Sequence, residues 1–154
     1  MLQVNCILRA NEYTHEYTQK CAVKSYDSNQ LASNSPIEDT RSESSLKFTS
    51  GELFNISDGH GGAACAQVVA KRLPRYIAAA LIPPDILTEQ LNNKQSDNKL
   101  NSKKFLSCHN DKVEFVTEIR DMYEDSFFQY INDLIKNNNT NFNMQQVLEN
   151  AFLR

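Results

Sequence analysis

The sequence predicts an α+β fold in which one β-hairpin is followed by amphipathic helices. Residues 45–49 and 52–57 both alternate apolar and polar side chains, and Gly51 lies in the predicted turn between them. Apolar residues then recur at three- and four-residue steps over 61–81 and 113–136, which is typical of helices with one buried face. Two kinds of periodicity in separate parts of the chain favour sheet and helix packed as layers.

The first of these helices, over 61–81, contains a proline. Pro74 lacks a backbone N–H, so we expect a kink or break near 69–73, and Pro83-Pro84 should end the element. The second helix, over 113–136, has Asp111 available as its N-cap. Its apolar stripe is better explained by core packing than by a ligand groove, and comprises Val116, Ile119, Tyr123, Phe127, Tyr130, Ile131 and Leu134.

A last helix is predicted from Met144, after the asparagine-rich stretch 137–141 has ended the preceding one. Its apolar face should contain Val147, Leu148 and Phe152.

Two polar stretches predict loops. Residues 25–45 are rich in Ser, Asn and Asp, and residues 92–112 predict a flexible insertion, with its lysines as an alternative docking surface. We therefore divide the chain into an N-terminal segment, 1–24, and a partial domain, 25–154.

Composition excludes several classes of protein. The 154 residues carry 16 Lys and Arg against 19 Asp and Glu, a net charge of −3, which argues against nucleic acid as the main partner. No apolar run approaches the roughly 20 residues of a membrane-spanning helix, and the first residues resemble neither a signal nor a transit peptide. The four cysteines form no Cys-x-x-Cys pair, which favours reduced thiols over a zinc or redox motif.

Two acidic segments flank the predicted hairpin. Glu38 and Asp39 precede its first strand, and Asp58 follows its second. Because an antiparallel hairpin returns the chain to its starting end, the three carboxylates can converge. Close carboxylates repel one another unless a cation lies between them, and Mg²⁺ and Mn²⁺ prefer such oxygen ligands. The spacing therefore indicates a candidate metal site.

The residues after Asp58 fit the same chemistry. Gly59 lets the backbone approach an ion with its carbonyl free, and Gly61-Gly62 lead into a helix whose first N–H groups favour an anion such as phosphate. His60 could donate a proton to a leaving group. A plain alternative stays open, in which Asp58 caps the helix and His60 is an ordinary surface residue.

At these residues the sequence resembles the metal-dependent protein serine/threonine phosphatases, the PPM family or type 2C, and within it the pyruvate dehydrogenase phosphatase branch. The similarity rests on segments in matching order, which are residues 7–13, 27–31, 34–39, 58–62, 72–78 and 150–152. Many members have an arginine four residues before the glutamate, where this chain has Asn34, so the phosphate-binding residue stays unassigned.

The resemblance implies a β-sandwich flanked by helix pairs, with two Mg²⁺ or Mn²⁺ ions at one end. It implies that Asp58 bridges both ions, that the Gly59 carbonyl binds one, and that Glu38 and Asp39 hold metal directly or through water. His60 would be the general acid for the serine oxygen of a phosphoserine protein, in this branch a pyruvate dehydrogenase component.

The resemblance also implies later metal-binding aspartates that these 154 residues do not contain. We therefore expect the N-terminal part of a phosphatase that is inactive by itself, in an enzyme of the mitochondrial matrix. The alternatives are a non-catalytic short form that binds a partner, or a phosphatase with a different phosphoprotein substrate.

Overall fold

The computed structural model describes residues 2–18, 21–92, 105–109, 117–137 and 143–154. Within these ranges, two small antiparallel sheets combine with helices in an α+β arrangement. The elements in chain order are α1 (Leu2–Arg9), β1 (Tyr13–Glu16), β2 (Ser25–Ser28), β3 (Thr40–Leu46), β4 (Glu52–Ser57), α2 (Ala64–Ala80), α3 (Pro84–Asn92), β5 (Leu106–Cys108), α4 (Thr117–Asn137) and α5 (Met144–Phe152).

The central sheet has the strand order β4-β3-β5, and all its pairings are antiparallel. The predicted hairpin is confirmed, but its first strand lies earlier in the chain than the predicted 45–49. β3 runs over Thr40–Leu46, and the turn is closed by the Leu46 N–H donating to the Gly51 carbonyl at 2.9 Å. The loop prediction for 25–45 is accordingly wrong in part. β3 is mostly polar, yet it forms because both of its edges find backbone partners.

The helix α2 packs across this sheet, and α4 and α5 pack against α2. It begins at Ala64, three residues later than predicted, and continues through Pro74 without a break. Pro83-Pro84 separates it from the next helix, as predicted. The Pro83 carbonyl accepts the N–H of Leu87 at 3.0 Å, and Pro84 is the first residue of α3, where a missing N–H costs nothing.

The core lies between the sheet and the helices. Tyr76 of α2 contacts Phe127 of α4 edge-to-face with ring centroids 5.3 Å apart, and Phe105 contacts the same ring at 5.7 Å. Ile131 and Leu87 are also fully buried. Phe127, Tyr130 and Ile131 confirm the predicted core role of the α4 stripe. Asp111 and residues 113–116 lie outside the described residues.

The prediction of a flexible insertion over 92–112 is wrong for its described part. Phe105 and Leu106 are 1% and 3% exposed, and β5 pairs with β3 through Leu106↔Leu46 and Ser107↔Ser45. Two apolar residues within a long polar stretch give almost no periodic signal, but burying them stabilises the fold by about 2 kcal/mol each. The rest of the insertion, 93–104 and 110–112, lies outside the described residues.

The last helix, α5, is confirmed, with Asn143 as its N-cap accepting the Gln145 N–H at 3.0 Å. Its predicted buried face is wrong for Leu148 and Phe152, whereas Val147 is half-buried. Ala151 is 3% exposed and faces the core, whereas Leu148 and Phe152 are 37% and 66% exposed. A small residue allows α5 to approach α2 closely, which turns the larger side chains outward. The asparagines at 138–141 lie outside the described residues.

The N-terminal segment forms a hairpin of its own. β1 pairs with β2 from Tyr13↔Ser28 to Glu16↔Ser25, so the pairing joins residues on both sides of position 24. All four cysteines are free thiols. Among the described helices, none is both long and apolar enough to cross a membrane.

Candidate functional site

The acidic segments meet at the open end of the β3–β4 hairpin. Thr40, the first residue of β3, pairs with Ser57, the last residue of β4. Asp39 immediately precedes Thr40 and Asp58 immediately follows Ser57, so the two segments leave the sheet side by side. The term acidic loop cluster is used below for Glu38, Asp39, Asp58, Gly59 and His60.

Direct contacts join the two segments within the acidic loop cluster. The Gly59 N–H donates to Asp39 Oδ1 at 2.9 Å. A Cβ at position 59 would lie 2.6 Å from the Glu38 carbonyl carbon and would overlap its oxygen. Glycine at 59 is therefore required by the close approach of the Glu38 backbone, not only by the approach of an ion.

The turn that follows needs its glycines. Gly61 and Gly62 have φ values of +76° and +127°, a region that other residues rarely adopt. They carry the chain from His60 to the N-cap of α2, which is Ala63, and this N-cap makes no side-chain hydrogen bond to the helix. The alternative role of Asp58 as the cap of α2 is therefore wrong.

The expected convergence of carboxylates is incomplete. Glu38 is half-buried, Asp39, Asp58 and His60 are exposed, and the described part of the chain contains no group of three His, Cys, Asp or Glu side chains placed to hold a metal. Asp39 uses one oxygen for Gly59 rather than for a shared site. The donor chemistry still fits Mg²⁺ or Mn²⁺, because the exposed groups here are carboxylate oxygens.

A second polar cluster lies between the two sheets. It is called the histidine–tyrosine cluster below and comprises His15, Tyr17, Ser45, Glu52 and His109. The His15 and His109 rings lie with centroids 4.1 Å apart, and the Tyr17 ring contacts both. Its members come from four separate segments, so no sequence motif predicts it. A cleft of about 260 Å³ opens beside it.

Glu52 is the centre of the histidine–tyrosine cluster. Its Oε2 accepts hydrogen bonds from the Tyr17 hydroxyl at 2.7 Å and the Ser45 hydroxyl at 2.9 Å, and its Oε1 accepts the Cys21 thiol at 3.4 Å. Only 7% of its side chain is exposed. Burial, together with the bond to Glu52, raises the pKa of Tyr17 above its usual range, so this hydroxyl stays a donor.

The same contacts argue against a serine nucleophile. His109 Nε2 lies 2.8 Å from Ser45 Oγ and 3.6 Å from Glu52 Oε2, so the serine and the carboxylate approach one ring nitrogen. A catalytic triad places them on opposite nitrogens. Burial, with His15 beside it, lowers the pKa of His109, which keeps the ring neutral near pH 7. The cluster is internally satisfied.

Comparison with known proteins provides an independent finding. The chain is 38% identical over 161 aligned residues to the mitochondrial pyruvate dehydrogenase (acetyl-transferring) phosphatase 1 of Bos taurus, and equally to that of Homo sapiens. The chain is thus similar over nearly its whole length to proteins that are named pyruvate dehydrogenase phosphatases. A human phosphatase 2 of the same name is 48% identical over 85 residues, 52% of this chain. No family profile matches the chain.

The alignment covers nearly all of this chain but only a smaller part of the relatives. The alignment to phosphatase 1 includes 99% of this chain but only 30% of the relative. The chain therefore spans about a third of the length of these relatives. The alignment includes both segments of the acidic loop cluster, since almost every residue of the chain is aligned.

Proposed function

We propose that the chain forms part of a metal-dependent protein serine/threonine phosphatase of the PPM type that acts on phosphoserine in a pyruvate dehydrogenase component. The observation that carries the proposal is the contact between Asp39 and Gly59. It brings together two acidic segments that are far apart in sequence, at one exposed end of the sheet. The 38% identity to pyruvate dehydrogenase phosphatases supports the same reaction.

In this proposal the acidic loop cluster holds Mg²⁺ or Mn²⁺. Asp58 and the Gly59 carbonyl would bind metal, and Glu38 and Asp39 would hold it directly or through water. When bound, the ions would supply an activated water and would neutralise charge on the phosphoryl oxygens. The Gly59 N–H keeps one Asp39 oxygen fixed, which leaves the other oxygen of that carboxylate for a cation or its water.

His60 is assigned to the proton that the serine oxygen needs as it leaves. It is exposed and follows Gly59 directly, so a protein substrate can reach it. Imidazole is suited to this role because a ring N–H can donate its proton to a leaving oxygen. The turn through Gly61 and Gly62 sets where His60 lies relative to the carboxylates.

The proposal extends to location. The relatives are named as mitochondrial proteins, and we propose the mitochondrial matrix for this one. For the 154 residues alone we propose little or no turnover, since their described part holds no group of three metal ligands.

Hydrolysis of a phosphoserine peptide tests the proposal. The full-length protein should release phosphate with Mn²⁺ and stop when the metal is chelated, and the 154-residue chain should release almost none. A peptide from pyruvate dehydrogenase and an unrelated phosphoserine peptide of equal charge test the substrate. Absence of Mn²⁺-dependent hydrolysis by the full-length protein would exclude the proposed function, and equal rates on both peptides would exclude the proposed substrate.

A further inference from the structure

A series of side-chain amide hydrogen bonds connects the N-terminal elements with the acidic loop cluster. Its last member is Gln30, a half-buried residue between β2 and β3. The Gln30 side-chain amide donates to the backbone carbonyl of Asp39 at 2.7 Å. No motif in the sequence indicates this contact, since Gln30 precedes Asp39 by nine residues in an irregular stretch.

Asp39 is therefore held at two points. Its backbone carbonyl accepts from Gln30, and its carboxylate accepts the Gly59 N–H at 2.9 Å. One contact fixes the main chain at this position and the other fixes the side chain. Together they restrict the direction in which the second carboxylate oxygen points.

Gln30 is itself restrained from the N-terminal side. Its backbone carbonyl accepts the Asn11 side-chain amide at 2.9 Å, and its N–H donates to Asn29 Oδ1 at 2.8 Å. The Asn29 amide in turn donates to the Leu8 carbonyl in α1 at 2.6 Å. The end of α1 and the turn that follows it thus hold Gln30, which in turn bonds to Asp39.

We propose that Gln30 is a positioning residue for the candidate metal site, acting through the backbone of Asp39. This inference rests on the proposed function, because it assigns Asp39 to metal binding. Groups that orient a metal ligand from outside the coordination shell commonly change metal affinity about tenfold or more when removed. Gln30 performs that role from the N-terminal elements rather than from the β3–β4 hairpin.

The variant that tests the role is Gln30→Met in the full-length protein. Methionine has nearly the same length as glutamine but no amide, so it removes the donor without adding charge. Gln146→Met is the matched control, because Gln146 is an exposed residue of α5. Three quantities are measured: the Mn²⁺ concentration for half-maximal activity, the thermal midpoint, and hydrogen exchange at the Gly59 amide in metal-free protein.

We expect Gln30→Met to raise the half-activating Mn²⁺ concentration about tenfold while the maximal rate changes less than about twofold. The Gly59 amide should exchange several-fold faster, and the thermal midpoint and the Gln146→Met control should stay near the unaltered protein.

Two results would overturn the inference. In one, hydrogen exchange at the Gly59 amide is unchanged in Gln30→Met, which would show that Gln30 does not hold the acidic loop cluster in place, whatever the activity. In the other, the maximal rate and the midpoint fall while the Mn²⁺ requirement stays constant, which indicates a merely structural role. An unaltered protein without Mn²⁺-dependent activity would instead exclude the proposed function, and the Gly59 exchange would still decide whether Gln30 supports the loop.

Discussion

The acidic loop cluster and the histidine–tyrosine cluster differ in how completely their polar groups are satisfied. Glu52 has only 7% of its side chain exposed and accepts hydrogen bonds from Tyr17, Ser45 and Cys21. Asp58 is exposed, and Asp39 is exposed with one oxygen bonded to Gly59. The histidine–tyrosine cluster, although richer in histidine and serine, thus has less capacity to bind a ligand than the acidic loop cluster.

This difference separates a structural polar cluster from a candidate site. Buried polar groups must be bonded or they destabilise the fold, so a saturated cluster is explained by burial alone. Exposed carboxylates need no internal partner, and their gathering at a glycine-rich turn is left unexplained by stability. We therefore predict that changes in the acidic loop cluster alter activity, whereas changes in the histidine–tyrosine cluster alter stability.

The largest expected effect is from Asp58→Asn in the full-length protein. Removing a metal-binding charge should lower kcat/KM on a phosphoserine peptide by roughly 100-fold or more. The thermal midpoint should change little because Asp58 is exposed. Asp125→Asn, an exposed aspartate of α4, is the control and should retain full activity. Equal losses in both variants would mean that surface charge, not the site, is responsible.

Glu52→Gln should show the opposite pattern. The buried carboxylate accepts two hydroxyl bonds that a neutral amide satisfies less well, so the free energy of unfolding should fall by about 2 kcal/mol. Denaturant unfolding measures this loss. The Mn²⁺ requirement should stay within twofold of the unaltered protein, and a large rise would remove the distinction between the two clusters.

Gly59→Ala tests the acidic loop cluster through its backbone packing rather than through a charge. The added Cβ overlaps the Glu38 carbonyl, so the loop must move away from Asp39. We expect about a tenfold loss of kcat/KM, measured at saturating Mn²⁺, from misplacement of the carboxylates. Gly51→Ala is the control in the hairpin turn, because there the nearest atoms are 3.1 Å away and belong to side chains. A Gly59→Ala variant with normal kinetics would show that the close approach is dispensable.

The smallest expected effect is a pH dependence of stability from His109. Burial and His15 hold the pKa of His109 below its usual 6.5, although Glu52 and Glu43 act in the opposite direction. The unfolded chain therefore binds a proton at a higher pH than the folded chain. Stability should fall as the pH drops through 6.5 toward the lowered value, and then level off. Thermal midpoints between pH 8 and pH 5 measure this, and His109→Gln should flatten the slope.

The sequence predicts the hairpin, α2, α4 and α5 because each has a periodic apolar pattern. Because an antiparallel hairpin brings its two ends to one place, it also predicts that the segments around Asp39 and Asp58 lie side by side, and the Gly59 N–H contacts Asp39 there. The convergence of all three carboxylates on a metal stays a prediction. The sequence predicts less well which residues of a helix are buried. Phe152 is exposed where helical periodicity predicts a buried residue, because Ala151 provides the closer packing against α2.

Elements that depend on distant partners could not be predicted. The sequence predicts only the end of β3, at 45–46, because residues 40–44 are polar and do not alternate. The strand forms because β4 and β5 pair with its two edges. Phe105 lies in a polar stretch, and its burial depends on the aromatic ring of Phe127 in α4. The support of Asp39 by Gln30 is similar, because a single amide bond across an irregular loop leaves no trace in composition or spacing.

Binding of Mn²⁺ to the full-length protein tests most directly whether the acidic loop cluster is the metal site. Electron paramagnetic resonance counts free and bound Mn²⁺ without any need for catalysis. We predict that Asp58→Asn weakens binding about tenfold or more, whereas Glu52→Gln binds Mn²⁺ like the unaltered protein. Unchanged binding in Asp58→Asn, or a loss confined to Glu52→Gln, would contradict the account.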